Sequence, residues 1–108
     1  YDTATQLQLQ YYYQRYQYDS VSILADEVIA VDSTKIYPRL YQARVTARRG
    51  ANWTAVNLYK DILNSDSTHA IATKELADLR RKIAYLRKQE EEEIRSSQIH
   101  SIPLRKKN

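Results

Sequence analysis

Tyrosine and arginine side chains recur at helical spacing in the middle of the chain, where they could bind another molecule. Intervals of four, three and four positions place one set on a single helix face: Tyr37, Tyr41, Arg44 and Arg48. Both residue types are common anchors in protein interfaces, because a ring supplies contact area and a guanidinium supplies directed hydrogen bonds. We therefore expect a concave, exposed and positively charged binding face.

The predicted partner-binding site extends onto two further helices. It takes in polar and aromatic residues of the first helix and basic residues of the fifth: Gln10, Tyr13, Gln14, Lys74 and Arg81. No acidic residue occurs between Asp32 and Asp61, so we expect the arginine charges to be uncompensated locally. Such a face would attract an acidic, partly aromatic protein segment. A solvated basic surface is the alternative explanation of the same pattern.

The sequence has no arrangement typical of an enzyme or a metal site. It lacks a glycine-rich phosphate loop, and neither His69 nor His100 is spaced as a ligand relative to the other or to a carboxylate cluster. Residues 90–93 are all glutamate. A helix spreads consecutive side chains around its axis, whereas a hard cation needs oxygen ligands folded around it. We therefore predict a non-enzymatic protein that uses no cofactor and no metal.

Length and composition favour a single all-α domain. The chain has 108 residues but only one Gly and two Pro, too few turn-forming residues for an all-β fold. It has no Cys, which excludes disulfides and thiolate metal sites. No apolar run approaches the roughly 20 residues that a membrane span needs, so we expect no membrane insertion. The net charge of +4 is weak support for nucleic-acid binding, and the glutamate run interrupts any basic path.

Apolar residues at intervals of three and four predict five helices, near residues 3–17, 19–31, 36–49, 52–65 and 68–95. Pro38 suits the first turn of the third helix, and Gly50 suits the left-handed position after its end. We expect these positions to be buried: Leu24, Val28, Ala55, Leu58, Ile62, Leu76 and Leu79. The pattern stops at residue 96, and residues 96–108 end in basic side chains, so we expect a mobile tail there.

The tripeptide Asp-Ser-Thr occurs at residues 32–34 and again at residues 66–68, an offset of 34 positions. The same offset relates other identical pairs: Gln8 and Gln42, Arg15 and Arg49, and Leu24 and Leu58. It equals the period of the tetratricopeptide repeat, in which helix–turn–helix units stack. Residues 36–69 resemble one such unit at its marker positions: Ala43, Gly50, Ala55, Tyr59, Ile62 and Asp66.

The resemblance implies an α-solenoid, a right-handed stack of antiparallel helical hairpins. Units near residues 2–35 and 36–69, with a capping helix at residues 68–95, would form one domain over residues 1–95, followed by the basic tail. The first unit departs from the pattern, because Tyr16 occupies the position of the turn glycine. Chaperone-binding members of the family clamp a terminal carboxylate with Lys, Asn and Arg. The matching positions here hold other residues, so we expect no such clamp: Gln6, Gln10, Tyr41, Ile71 and Glu75.

The resemblance and the Tyr/Arg face together predict a protein–protein interaction scaffold that binds an acidic or aromatic peptide segment in its concave groove. Self-association is the alternative, because the predicted fifth helix is longer than its neighbours by several turns. Its apolar residues continue at the intervals of three and four that are typical of a coiled coil. A homodimer would then use residues 80–95. A nucleic-acid-binding helical domain is a third and less favoured alternative.

Overall fold

A computed structural model describes residues 2–107 of the chain, and the side chains of residues 2–98. Residues 2–107 contain five α-helices and no β-strand: α1 (Asp2–Gln14), α2 (Tyr18–Val31), α3 (Ile36–Arg48), α4 (Asn52–Ser65) and α5 (Ala70–Lys107). This confirms the all-α class. None of these helices combines the length and apolar composition that crossing a membrane requires.

Two helices differ from their predicted bounds. The first ends at Gln14 rather than near residue 17, because Tyr16 has a left-handed backbone that stops the helix. The fifth runs on to Lys107 rather than ending near residue 95, so the structure continues the helix into the segment predicted as a tail. The mobility expected of residues 96–108 stays a prediction. Pro38 lies in the first turn of α3, as predicted.

Helices that follow one another along the chain pack together, and α1 also contacts α3. Their buried side chains form two apolar clusters. The first lies among α1, α2 and α3 and consists of Leu9, Val21, Ala25 and Val45. The second lies among α3, α4 and α5 and consists of Leu40, Ala43, Ala55, Val56, Tyr59, Ile62, Ala72, Leu76 and Leu79.

The predicted core is confirmed in part. Four of the expected residues are buried: Ala55, Ile62, Leu76 and Leu79. Leu58 is only partly buried, because the buried face of α4 is centred on Ala55, Tyr59 and Ile62 and leaves Leu58 at its edge. Leu24 and Val28 are also only partly buried, since both line an open cavity beside α1.

The turns after α1 and α3 have the same hydrogen bonds. Tyr16 and Gln17 donate backbone bonds of 3.1 and 3.0 Å to the last turn of α1, and Gly50 and Ala51 donate bonds of 3.0 and 3.2 Å to the last turn of α3. This pair of bonds defines the Schellman motif, which requires a left-handed residue. Gly50 supplies it with φ 87°, and Tyr16 supplies it with φ 61°. An L side chain there costs roughly 1–2 kcal/mol.

The repeated Asp-Ser-Thr tripeptides also form matching turns, at the ends of α2 and α4. Asp32 Oδ1 accepts the Thr34 N–H at 3.0 Å, and Asp66 Oδ1 accepts the Thr68 N–H at 3.1 Å. Each threonine hydroxyl bonds the same oxygen. Hydrogen bonds from the threonine side chain and backbone lower the pKa of both aspartates. The tripeptide therefore ends a helix and turns the chain toward the next one.

The helix bounds follow the same spacing as the sequence matches. The starts and ends of α3 and α4 each lie 34 positions after those of α1 and α2, and α5 starts 34 positions after α3. The local backbone geometry of residues 2–34 therefore recurs in residues 36–68. The fifth helix departs from this spacing, because it continues through the positions that lie 34 residues after the turn between α3 and α4.

We predict that glycine is more stable than alanine at the left-handed position of both turns. Tyr16→Gly should be more stable than Tyr16→Ala by about 1 kcal/mol, since only glycine relieves the positive φ. Gly50→Ala should lose about 1 kcal/mol for the same reason, because a Cβ at Gly50 meets no atom within 4 Å and the cost is conformational. Urea unfolding of the three variants measures these differences. Equal stability of the two Tyr16 variants would contradict the prediction.

Candidate partner-binding site

An open cleft of about 420 Å³ lies where α1, α3, α4 and α5 meet. Its lining combines aromatic, apolar and charged side chains: Tyr13, Arg44, Ala47, Arg48, Tyr59, Glu75, Asp78, Leu79 and Lys82. The members on α3 and those on α5 each recur at helical spacing, so each set occupies one helix face. The cleft thus forms where the face of α3 that was predicted to bind a partner turns toward α5.

A bidentate ion pair between Arg44 and Glu75 lies in the lining of this cleft. Arg44 Nε lies 2.9 Å from Glu75 Oε1 and 3.2 Å from Oε2, and Arg44 Nη2 lies 2.6 Å from Oε2. Tyr59 donates its hydroxyl to Glu75 Oε1 at 2.8 Å. The Arg44 and Glu75 side chains are each 23% exposed. The network therefore joins α3, α4 and α5 through charge-assisted hydrogen bonds that solvent screens only in part.

Protonation equilibria follow from this geometry. Burial alone would raise the pKa of Glu75, but hydrogen bonds from Arg44 and Tyr59 outweigh it and lower that pKa below its ordinary value. The hydrogen bond to Glu75 raises the pKa of the Arg44 guanidinium. Burial, and then the hydrogen bond to Glu75, raises the pKa of Tyr59 well above its ordinary value. At neutral pH the pair is ionised and Tyr59 is a neutral donor.

The expectation of an uncompensated charge is wrong for Arg44. Its counter-ion, Glu75, comes from α5, outside the acid-free stretch that prompted the expectation. Arg44 also lies over the Tyr41 ring, with 4.9 Å from its Cζ to the ring centroid. Arg44 is therefore held by Glu75 of α5 and by Tyr41 of its own helix, and its charge is already paired.

Arg48 differs from Arg44, because its side chain is exposed and its charge has no carboxylate partner among the described side chains. Its Nε donates to the Tyr13 hydroxyl at 3.1 Å, and its Cζ lies 5.8 Å from the centroid of the Tyr13 ring. The hydrogen bond to Tyr13 raises the pKa of Arg48. Within the part of the chain with described side chains, neither Arg48 nor Lys82 pairs with a carboxylate. These two cations give the cleft its unpaired positive charge.

The two predicted tyrosines of α3 lie in different places. Tyr41 is partly buried and meets Tyr13 edge to face, with ring centroids 5.8 Å apart. Tyr37 lies at the other end of α3, where its hydroxyl donates to Asp2 Oδ1 at 3.3 Å. It lines a separate cavity of about 240 Å³, in which Asp2 also pairs with Lys35. Tyr41 is among the lining residues of neither, so only the two arginines of the four-residue face predicted on α3 line the cleft.

The remaining predicted binding residues are not among those that line the cleft. Lys74 and Arg81 both pair with Asp78, which lines the cleft; the Lys74 Nζ to Asp78 Oδ2 distance is 3.2 Å. Gln10 and Gln14 are exposed on α1 and are not among the residues lining the cleft. Whether these side chains contact a partner stays a prediction.

The site prediction left out side chains that the structure brings into the cleft. They come from α3, α4 and α5: Ala47, Tyr59, Glu75 and Leu79. On α5, Glu75, Asp78 and Lys82 recur at intervals of three and four, so a polar stripe beside the buried one was present in the sequence. No comparable signal marks Tyr59, because its spacing fits the core equally well.

The cleft provides hydrogen-bond donors at Arg48 and Lys82, an aromatic ring at Tyr13 and apolar contact at Ala47 and Leu79. Such a lining can hold a carboxylate next to an apolar or aromatic group. Among the described residues, no three His, Cys, Asp or Glu side chains are grouped closely enough to hold a metal ion.

We predict that Glu75→Gln lowers the free energy of unfolding by about 1–3 kcal/mol at pH 7, since the variant loses the ion pair to Arg44. The pKa of Glu75 is lower in the folded than in the unfolded chain, so its stabilising effect is complete above its ordinary value of 4.5 and is lost as the pH falls through the folded pKa. The gap between wild type and variant in urea unfolding should therefore narrow below pH 4.5. Glu91→Gln, at an exposed position, is the matched control. A gap that does not change with pH would contradict the prediction.

Comparisons with known proteins leave the family open. Searches against models of protein families, curated proteins and solved structures find no match to this chain. The resemblance to the tetratricopeptide repeat therefore stays a prediction, without support from a family match.

Proposed function

We propose that the chain is a non-enzymatic protein–protein interaction scaffold that holds an acidic, partly aromatic peptide segment in the cleft. One observation carries this proposal: Arg48 and Lys82 line the cleft without a carboxylate partner among residues 2–98. Two unpaired cations beside aromatic and apolar side chains favour a ligand that brings its own carboxylates.

The chemistry of the lining indicates how such a peptide would bind. Arg48 uses its Nε on Tyr13, and its other N–H groups remain available for a forked contact with an Asp or Glu side chain. Lys82 would contact a second carboxylate as a point charge. Ala47 and Leu79 offer apolar surface beside Tyr13, so an aromatic residue of the peptide would pack there.

The framework of this proposal is a right-handed stack of two antiparallel hairpins of the tetratricopeptide type, closed by α5. Its support is the constant offset of helix bounds, the matching pairs of turns, and the contact of α1 with α3. In a stack of this type the first helices of the units line the concave side. The position of Tyr13 on α1 and of Arg48 on α3, both facing one cleft, fits that arrangement.

A selection from random peptides displayed on phage tests the function. We expect enrichment of peptides that combine Asp or Glu with Trp, Tyr or Phe. In titrations with an enriched peptide, Arg48→Glu combined with Lys82→Glu should weaken binding roughly 10- to 100-fold. Its free energy of unfolding should fall by no more than about 1.5 kcal/mol, since both side chains are exposed and the variant loses only the contact of Arg48 with Tyr13. Arg44 is unsuitable for this test, because it holds Glu75.

The control is Lys60→Glu, at an exposed position of α4 outside the cleft, and its peptide affinity should stay within about twofold of wild type. Enriched peptides without acidic residues, or full affinity in the double variant, would disprove the proposal. Tight binding of an oligonucleotide with a steep salt dependence, and no peptide enrichment, would instead support the nucleic-acid alternative.

A further inference from the structure

The fifth helix extends past the helix on which it packs and exposes apolar side chains there. Ile83 is the last of its residues that packs on the core, and residues 84–98 are all exposed. Leu86 is 43% exposed and Ile94 is 58% exposed. Trp53, at the start of α4, is 60% exposed and borders the same region. These apolar groups indicate a surface that another chain covers.

One face of this extension has a sequence that complements itself when reversed. Its residues follow at intervals of four, three and four: Ile83, Arg87, Glu90 and Ile94. The set is centred between Lys88 and Gln89. Turning it end for end about that centre places isoleucine on isoleucine and arginine on glutamate. The surface is therefore complementary to a second copy of itself in the antiparallel orientation.

We propose that two copies of this chain associate through an antiparallel pairing of residues 83–94. Ile83 packs against Ile94 of the partner subunit, and Arg87 pairs with Glu90 of the partner subunit. Two-fold symmetry makes each contact twice. A parallel pairing would set Arg87 against its own equivalent and Glu90 against its own, so like charges disfavour it.

The surroundings of this face provide room for the partner. An open groove of about 550 Å³ runs beside it and is lined in part by Trp53, Ile83, Leu86, Arg87 and Glu90. The partner helix would pass along this groove and cover the Trp53 ring. Tryptophan is among the residues that contribute most to interfaces. The pairing leaves the peptide cleft untouched, because Arg48 and Tyr13 line a different part of the surface, so the proposal does not depend on peptide binding.

Sedimentation equilibrium of the full chain over a wide concentration range tests the association. We expect a mass that rises from 12.7 kDa to twice that value. Arg87→Glu alone, and Glu90→Arg alone, should each raise the dissociation constant about tenfold or more, because each sets like charges against one another twice. Arg87→Glu combined with Glu90→Arg restores both pairs and should restore the dimer. Lys88→Glu is the control, because it changes the net charge by the same amount as Arg87→Glu but Lys88 is not on this face. The dissociation constant of this variant should stay within about twofold of wild type.

Disulfide trapping tests the orientation, because the chain has no cysteine of its own. An equimolar mixture of Ile83→Cys and Ile94→Cys, oxidised after circular dichroism confirms that both fold, should give mainly the mixed disulfide. A chain that stays monomeric at every concentration, a double charge variant that does not dimerise, or a predominance of the two homodisulfides would overturn the proposal.

Discussion

The Arg44–Glu75–Tyr59 network is the polar interaction on which the arrangement of α3, α4 and α5 depends. Tyr59 is 3% exposed, so its hydroxyl needs an acceptor inside the molecule, and Glu75 supplies one. Glu75 is itself shielded from water and needs the Arg44 guanidinium. Loss of any member leaves another polar group without its partner, which costs more than the hydrogen bond alone. The network thus links three helices through polar contacts in addition to their apolar packing.

This structural use of Arg44 affects which basic residues of the cleft are available to the proposed peptide ligand. A charge already paired inside the molecule adds little attraction for a ligand, and replacing it would disturb the fold. Arg48 and Lys82 form no ion pair among the described side chains, and they line the same cleft from α3 and α5. In the proposed function, stability and recognition therefore belong to different basic residues, although Arg44 and Arg48 are only one helical turn apart. The extension of α5 is a separate surface, because its exposed apolar side chains lie beyond the packed helices.

Two kinds of turn set the spacing of the helices. Aspartate and threonine hydrogen bonds end α2 and α4, and Schellman motifs end α1 and α3. The first kind uses identical residues in both places, whereas the second uses Tyr16 in one place and Gly50 in the other. The constant helix lengths therefore come from the hydrogen-bond geometry of the turns, and side-chain identity at the left-handed position changes only the energetic cost.

The sequence by itself determined the all-α class, the number of helices and the turns after α2, α3 and α4, but not the turn at Tyr16. These features depend on apolar periodicity and caps, which act within a few residues along the chain. Only the tertiary structure decided that Arg44 pairs with Glu75, that Tyr37 lines a cavity separate from the cleft, and that Leu58 lies at the edge of the core. The physical reason is that partners from different helices meet through the rotation and crossing of those helices. A rotation of one residue, about 100°, changes which side chains face each other, and the local pattern does not fix it.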